Sequence, residues 1–219
     1  MTPGTTESII EWTRNWAAVR QLTDIRPTLA ATIAVRVGRG GRTVEHFVTT
    51  PGLDPDWLRT ALLAEGAQPH TDWITIPLTD DQAEQPPPGF DWARADIEHL
   101  MSLEPTTSTE PAPVDGYTFT TEHLGTGAVR ATYKSTKDGQ EAGSATMLLR
   151  DTTGVIDSVA VHEDHRRKGL AAHLMRHLHN HAAQQKTTRL LLVASPMGKH
   201  LYDKLGWHTI TRLLIATVV

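Results

Sequence analysis

The fold is decided by the stretch Val155-Ile-Asp-Ser-Val-Ala-Val161 and the basic segment Arg166-Arg-Lys-Gly-Leu-Ala171 that follows it. The first stretch is mostly apolar and β-branched, which predicts a buried strand. After a polar turn, Gly169 opens an apolar-periodic helix that we expect to run to about Ala183. Such a turn at a helix N-terminus predicts an anion site, because unpaired backbone N–H groups and the positive end of the helix dipole both point at the ligand.

The expected anion is a phosphate or pyrophosphate. Arg166, Arg167 and Lys168 add positive charge, and Gly169 allows a ligand to approach the backbone closely. No G-x-x-x-x-G-K-[ST] loop is present and no G-x-G-x-x-G follows a strand, which excludes two common nucleotide-binding loops. The alternative interpretation is an ordinary solvated basic turn.

A second informative segment lies downstream, at Ser195-Pro-Met-Gly-Lys-His-Leu-Tyr-Asp-Lys-Leu-Gly-Trp207. Ser195 is a good N-cap, Pro196 suits the first helical position and Gly206 suits a left-handed C-cap, so the segment predicts a short helix. It follows Arg189-Leu-Leu-Leu-Val-Ala194, which reads as another buried strand.

Both segments resemble motifs of the GNAT superfamily of acetyl-CoA-dependent N-acyltransferases. Arg166-x-x-Gly169-x-Ala171 is similar to the signature Q/R-x-x-G-x-G/A, and the downstream segment is similar to N-x-x-A-x-x-x-Y-E-K-x-G-F. The second match has Ser195 for Asn, Gly198 for Ala and Trp207 for Phe, and it places Tyr202 at the family's Tyr. The resemblance covers roughly Tyr117 to Val219.

The resemblance implies acetyl-CoA as the co-substrate, with the coenzyme A diphosphate held by the turn and the pantetheine arm paired with the preceding strand. The residues that it implicates in binding are Val159, Ala160, Val161, Arg166, Arg167, Lys168, Gly169, Leu170, Ala171, Ala172 and Ser195. Tyr202 would be the general acid for the departing thiolate, or else a half-buried tyrosine that packs on the sheet. The N-cap role explains Ser195 equally well.

A general base is also needed, because an alkylammonium group has a pKa of about 10 and cannot attack while protonated. Asp157 interrupts an otherwise apolar strand, and period-two alternation places it on the face of Val159 and Val161. We predict it as the base or as a water-orienting group, with a structural or acceptor-binding acid as the alternative. Glu122 and His123 are further candidates for the base.

The expected reaction is direct transfer of an acetyl group to a primary amine of a small molecule in a ternary complex. The chain has no cysteine, which agrees with direct attack and removes thiolate zinc sites. One alternative is transfer to a peptide or protein amine. Another is a catalytically idle acyl-CoA-binding module, which the substitutions at Ser195 and Gly198 favour.

A row of histidines, His173, His177 and His181, stands at i, i+4 and i+8 of the predicted helix. It lacks the carboxylate of an H-E-x-x-H arrangement and borders the apolar face, so we predict a solvated row and no metal. The net charge of −4 and the pI near 6.3 predict neither a nucleic acid nor a membrane partner. Without a signal-like N-terminus we expect a cytoplasmic protein. The apolar final strand Leu213–Val219 could pair two copies as a homodimer.

The predicted fold is α/β (α+β), with a mixed, mainly antiparallel sheet flanked by helices. Residues 1–105 form a smaller N-terminal α/β domain, residues 106–116 are a Pro/Thr-rich linker, and residues 117–219 form the GNAT-like domain. The tight loop after His123 leaves no room for the two helices that the family places between its first two strands. We therefore expect residues 1–105 to supply part of the acceptor site.

Overall fold

The computed structural model describes residues 4–29, 31–39 and 41–219. The helices are α1 Thr5–Val19, α2 Pro55–Ala64, α3 Leu170–Gln184 and α4 Pro196–Lys204. The strands are β1 Ile25–Pro27, β2 Thr32–Arg39, β3 Arg42–Val48, β4 Trp73–Leu78, β5 Phe90–Trp92, β6 Glu98–Leu103, β7 Tyr117–Leu124, β8 Ala128–Ser135, β9 Glu141–Arg150, β10 Thr153–Val161, β11 Arg189–Ala194 and β12 His208–Val218. No helix in these ranges is both long and apolar enough to span a bilayer.

The chain divides into two compact units. Unit 1 comprises the residues up to Met101 together with Val193–Val219, and unit 2 comprises Ser102–Leu192. This division differs from the predicted domains, because the final strand belongs with the N-terminal residues. Residues 106–116, predicted as a linker, lie within unit 2.

Unit 2 carries the order β11-β10-β9-β8-β7. Its strands pair antiparallel, except that β10 and β11 are parallel and are connected by α3. The sequence predicts strands at 117–123, 128–134 and 141–149, and the positions of β7, β8 and β9 confirm them to within a few residues. One face of the sheet is covered by α3, which buries the apolar stripe Leu170, Leu174, Met175 and Leu178 against β8, β9 and β10.

Unit 1 carries the order β1-β2-β3-β4-β12-β6, with β5 also pairing with β12. The ladder between β3 and β4 is parallel and ends at Phe47 and Thr75, so Pro77 lies beyond it, as expected of a proline near a strand end. Both neighbours of β12 in the sheet are strands of the same chain, β4 and β6, so β12 lies inside the sheet. Whether two copies form a homodimer stays a prediction.

Two local features of unit 1 differ from the sequence-based expectations. The sequence Thr79-x-x-Gln82 resembles a capping box, which predicts a short helical turn. The backbone N–H of Thr79 donates to Gln82 Oε1 at 2.8 Å, which is half of such a box, but the residues form a turn and no helix begins there. Strands β5 and β6 were not predicted. The sequence Gly38-Arg-Gly-Gly41 predicts a hairpin turn, in which Gly40 lies outside the described residues.

The helical spacing of Trp12 and Trp16 predicts an apolar face on α1, and this face packs on β3. Trp12 and Trp16 stack with ring centroids 5.6 Å apart, and the Phe47 ring meets Trp16 edge-on at 5.2 Å. Beside them the guanidinium of Arg42 lies 4.9 Å from the centroid of the Trp73 ring and pairs with the buried carboxylate of Glu45. Both tryptophans of α1 are therefore core residues.

A buried carboxylate on β6 makes the stability of the protein depend on pH. The Glu98 side chain is 15% exposed and lies 3.3 Å from Arg94, and burial raises its pKa despite that neighbour. Since the folded pKa exceeds the unfolded one, the free energy of unfolding falls as pH rises from about 4.5 through the folded pKa. Glu98→Gln should flatten this fall in urea unfolding measured across that pH range.

The exposed Glu104 provides the matched control, and Glu104→Gln should leave the slope unchanged. Burial also raises the pKa of Glu45, so the slope in Glu98→Gln should be reduced and not abolished. An unchanged slope in Glu98→Gln would contradict the assignment.

Candidate functional site

Strand β10 carries a bulge between Asp157 and Ala160, in the part of the strand predicted to bind a ligand. Asp157 pairs with Thr146 and Ala160 with Ser144, so β10 has one residue more than β9 over this interval. Ser158, within the bulge, has φ of 57°, a left-handed conformation that is unusual for a residue other than glycine. The bulge turns the residues beyond it relative to the first half of the strand.

This bulge corrects the predicted face of Asp157. Residues paired across a ladder share a face, and Thr146 and Ser144 lie on the same face of β9. Asp157 therefore shares its face with Ala160, whereas Val161, paired with Gly143, points to the other side. The period-two argument failed because the extra residue shifts the alternation by one. The Asp157 carboxylate accepts a hydrogen bond from Ser158 Oγ at 2.8 Å.

The end of β10 parts from its parallel neighbour. Its ladder with β11 consists of the pairs Thr153–Arg189, Gly154–Leu190 and Val155–Leu191, and among the described residues it goes no further, although β10 continues to Val161. The predicted binding residues Val159, Ala160 and Val161 lie in the part of β10 that does not pair with β11, although it still pairs with β9. Its backbone groups on the β11 side can therefore pair with an extended ligand as an added strand would.

The basic turn after β10 has the backbone shape of an anion site. Arg167 has φ of 62° and Gly169 has φ of 80°, so two of its residues adopt left-handed conformations. Gly169 is the N-cap of α3 and, having no side chain, places no capping group over the helix N-terminus. The N–H groups of Leu170, Ala171 and Ala172 begin α3 and have no acceptor within the helix. Successive N–H groups in such a turn form a concave anion site.

Two of the three cations in this turn have partners within unit 2. Arg166 donates through Nε to the carbonyl of Val161 at 3.2 Å, which holds the turn against the end of β10. Lys168 Nζ donates to the hydroxyl of Tyr117 at 3.1 Å, and that hydroxyl lies 2.9 Å from His165 Nδ1. The sequence did not reveal Tyr117 and His165, because Tyr117 is remote in the chain and no motif marks it.

The contact between Tyr117 and Lys168 gives a test of which cation serves the anion. If the turn binds coenzyme A, as the resemblance implies, Lys168→Met should weaken that binding about tenfold in calorimetry, since a charge-assisted hydrogen bond contributes roughly 1.5–3 kcal/mol. Tyr117→Phe keeps the ring and releases the ammonium, so it should change affinity less than threefold. Unchanged affinity in Lys168→Met would assign this lysine to the internal structure of the turn.

Tyr202 lies in α4 and Ser195 caps the N-terminus of that helix, and both belong to unit 1. Ser195 Oγ accepts the N–H of Gly198 at 3.2 Å and Pro196 follows it, so the predicted N-cap is confirmed. Tyr202 is 7% exposed and its ring centroid lies 6.0 Å from that of Trp207. A Cβ at Gly198 would stand 3.2 Å from Tyr202 Cε2, so glycine at this position allows the ring to pack closely on the first turn of α4.

The prediction that the histidine row is solvated is wrong. His177 stacks on Phe119 with centroids 3.9 Å apart and pairs with the carboxylate of Glu110, and its side chain is 12% exposed. His181 lies 6.2 Å from His123 between ring centroids, and burial, with a smaller contribution from His123, lowers the pKa of His181. The row faces β7, whereas the sequence predicts that it faces solvent.

Residues 106–116 are held against α3 on the side of the helix that carries the histidine row. The amide of Asn180, buried in α3, accepts the N–H of Ser108 at 2.9 Å and donates to Glu110 Oε2 at 3.0 Å. With the ion pair between Glu110 and His177, these contacts fix an irregular segment to the helix. The segment has the irregular backbone expected of a linker, but it is anchored.

Comparisons with known proteins agree with this architecture. Residues 130–209 match the family model "Acetyltransferase (GNAT) domain". A GCN5-related N-acetyltransferase from Kribbella flavida superposes with a TM-score of 0.64 at 14% identity, covering 99% of this chain and 96% of that one. A putative GNAT acetyltransferase from Novosphingobium aromaticivorans gives 0.60 at 16% identity, with 99% and 97% covered.

A tandem GNAT protein from the clavulanic acid biosynthesis pathway gives a TM-score of 0.56 at 14% identity, covering 85% of this chain and 76% of that one. No curated protein sequence matches significantly. At these identities the structural likenesses establish the fold alone. The family match spans the strands and helix that build the parted end of β10 and the turn at Gly169. Residues 130–209, in the C-terminal half of the chain, are therefore similar to a GNAT acetyltransferase domain.

Proposed function

We propose that the protein is an acetyl-CoA-dependent N-acetyltransferase that acetylates a primary amine of a small molecule by direct attack in a ternary complex. The observation that carries the proposal is the arrangement in unit 2, where β10 parts from β11 and leads into a left-handed turn at the N-terminus of α3. An extended chain ending in a diphosphate fits both features. The edge of β10 that has parted from β11 can pair with the amides of that chain, and the turn can bind its phosphates.

The residues of unit 2 would then have distinct tasks. The backbone N–H groups of Leu170, Ala171 and Ala172, with the neighbouring cations, would bind the diphosphate. Backbone donors on Val159–Val161 would hold the pantetheine amides and stabilise the oxyanion of the tetrahedral intermediate, an effect of about 3–4 kcal/mol in other enzymes. Asp157, oriented by Ser158, would accept a proton from the amine directly or through water.

Tyr202 is the proposed acid for the thiolate because of its place in the family motif. A thiol has a pKa of about 8.5 and leaves readily, so the acid contributes only part of the rate. Ser195 would contact the pantetheine only with the lone pair that the N-cap hydrogen bond leaves available.

The proposal is tested in two measurements on the full chain. Calorimetry should show saturable binding of coenzyme A, and thiol release from acetyl-CoA should accelerate with some member of an amine panel that includes small amines and lysine peptides. Acceleration by the peptides alone would replace the small-molecule acceptor with a protein amine. Absence of coenzyme A binding would overturn the assignment.

A non-catalytic acyl-CoA-binding protein is the second candidate. The feature that favours it is the state of the α4 residues, since Tyr202 is 7% exposed and the Ser195 hydroxyl is engaged in capping. Tight binding of coenzyme A, with no transfer to any acceptor, would select this candidate.

A further inference from the structure

The two units repeat one supersecondary pattern. In unit 2 the antiparallel pair β9–β10 is followed by α3 and by the parallel strand β11, and in unit 1 the antiparallel pair β2–β3 is followed by α2 and by the parallel strand β4. In both, a turn leads from the second strand into the helix. The N-terminus of α2 is therefore the counterpart, within unit 1, of the proposed diphosphate site.

The N-terminus of α2 is unsuited to an anion. Asp54 is its N-cap, and its carboxylate accepts the N–H of Trp57 at 2.8 Å. Pro55, at the first helical position, has no N–H to offer, and Asp56 adds a further negative charge in the first turn. The groups that would hold a phosphate are thus occupied, missing or repulsive, in contrast to the cationic turn before α3.

An apolar cavity of about 190 Å³ lies at this helix end. Its walls are Leu53, Pro55 and Leu58 from α2 and its preceding turn, with Ile76, Leu78 and Leu214 from β4 and β12. Its roof is the segment Gln82–Pro88, whose end is the run Pro86-Pro87-Pro88. The described lining residues carry no ionisable group, so the cavity disfavours charged ligands.

The roof is fixed in place by Arg212 on β12. Its guanidinium donates to the carbonyl of Thr79 at 2.8 Å and to Glu84 Oε1 at 2.7 Å. Thr79 in turn is bonded through its N–H to Gln82 Oε1. Because these contacts and the stiff proline run hold the roof, the cavity exists before a ligand arrives, which lowers the entropic cost of binding.

We propose that this cavity binds a neutral aromatic molecule of one or two rings, with the amide of Gln85 at the rim available for one hydrogen bond. Apolar cavities of about 150 Å³ take up benzene, so this one has room for a ring of indole size. The site is separate from the proposed coenzyme A site, and it does not depend on the acyltransferase proposal.

The test uses indole with the full chain and monitors the methyl resonances of Leu58, Leu78 and Leu214 by NMR. Indole should shift these signals saturably and raise the Tm. Indole-3-acetate, which adds a carboxylate to the same ring system, should bind at least tenfold more weakly.

Ala83 is exposed and lines the cavity, so Ala83→Phe should fill it and weaken indole binding at least tenfold without removing a core side chain. Ala112→Phe, at an exposed alanine of unit 2, is the matched control and should bind indole normally. Coenzyme A affinity should be the same in both variants. Absence of saturable shifts up to the solubility limit of indole, or equal binding in Ala83→Phe, would overturn the proposal.

Discussion

Replacing Gly169 with valine should weaken coenzyme A binding about 100-fold. Gly169 has φ of 80° at the N-cap of α3, a conformation that a β-branched residue adopts only with strain. That strain is roughly 1–3 kcal/mol, and every 1.4 kcal/mol changes an affinity tenfold. A valine that escapes the strain by rotating its backbone would turn the N–H groups of the turn away from the diphosphate. Isothermal calorimetry with coenzyme A measures the loss.

Gly139, in the turn between β8 and β9, is the matched control. It has φ of 72°, and a Cβ there would meet nothing within 4 Å, so Gly139→Val carries comparable backbone strain outside the site. It should lose a similar amount of stability and bind coenzyme A normally. If the two variants lose affinity equally, the loss is a general effect of instability and the role of Gly169 in the anion site is wrong.

Replacing Tyr202 with phenylalanine should lower kcat by about 10²–10⁴ while leaving coenzyme A affinity within threefold. The ring packing with Trp207 is kept, and only the proposed proton donor is removed. The deficit should shrink with acyl donors whose thiol leaving group is more acidic, because such thiolates depart without protonation. Steady-state rates with two donors of different thiol pKa measure this.

Tyr133 provides the control for Tyr202→Phe. It is 1% exposed in β8, and its hydroxyl has no hydrogen-bond partner in the described part of the chain, so Tyr133→Phe should keep full activity. A kcat for Tyr202→Phe equal to that of the unmodified protein would show that this tyrosine serves packing alone, as its burial also permits.

Much of the fold could be predicted from the sequence because it depends on interactions between residues that are close together in the chain. The apolar strand before Arg166, the N-cap at Ser195 and the glycine that opens α3 each depend on a few neighbouring residues, and each is found in the structure. The turn proposed for the diphosphate belongs to this class. Gly169 was predicted to open the helix, and the structure shows it in the left-handed conformation that glycine adopts readily.

The features that sequence reasoning missed depend on contacts between distant residues. The bulge at Ser158 carries no glycine to mark it, and it reversed the predicted face of Val161 relative to Asp157. The anchoring of residues 106–116 depends on Asn180, whose amide looks like an ordinary polar helix residue until its partners are known. Composition predicts an irregular backbone, but it does not say whether that backbone is anchored.

The division of the chain has a consequence for biosynthesis. Unit 2 is one continuous segment, whereas unit 1 is completed by the final strand, β12, which lies between β4 and β6. During translation unit 2 can therefore finish folding while β4 and β6 still await the strand between them. We expect nascent chains that lack β12 to show protease-resistant residues 102–192 beside a protease-sensitive N-terminal region.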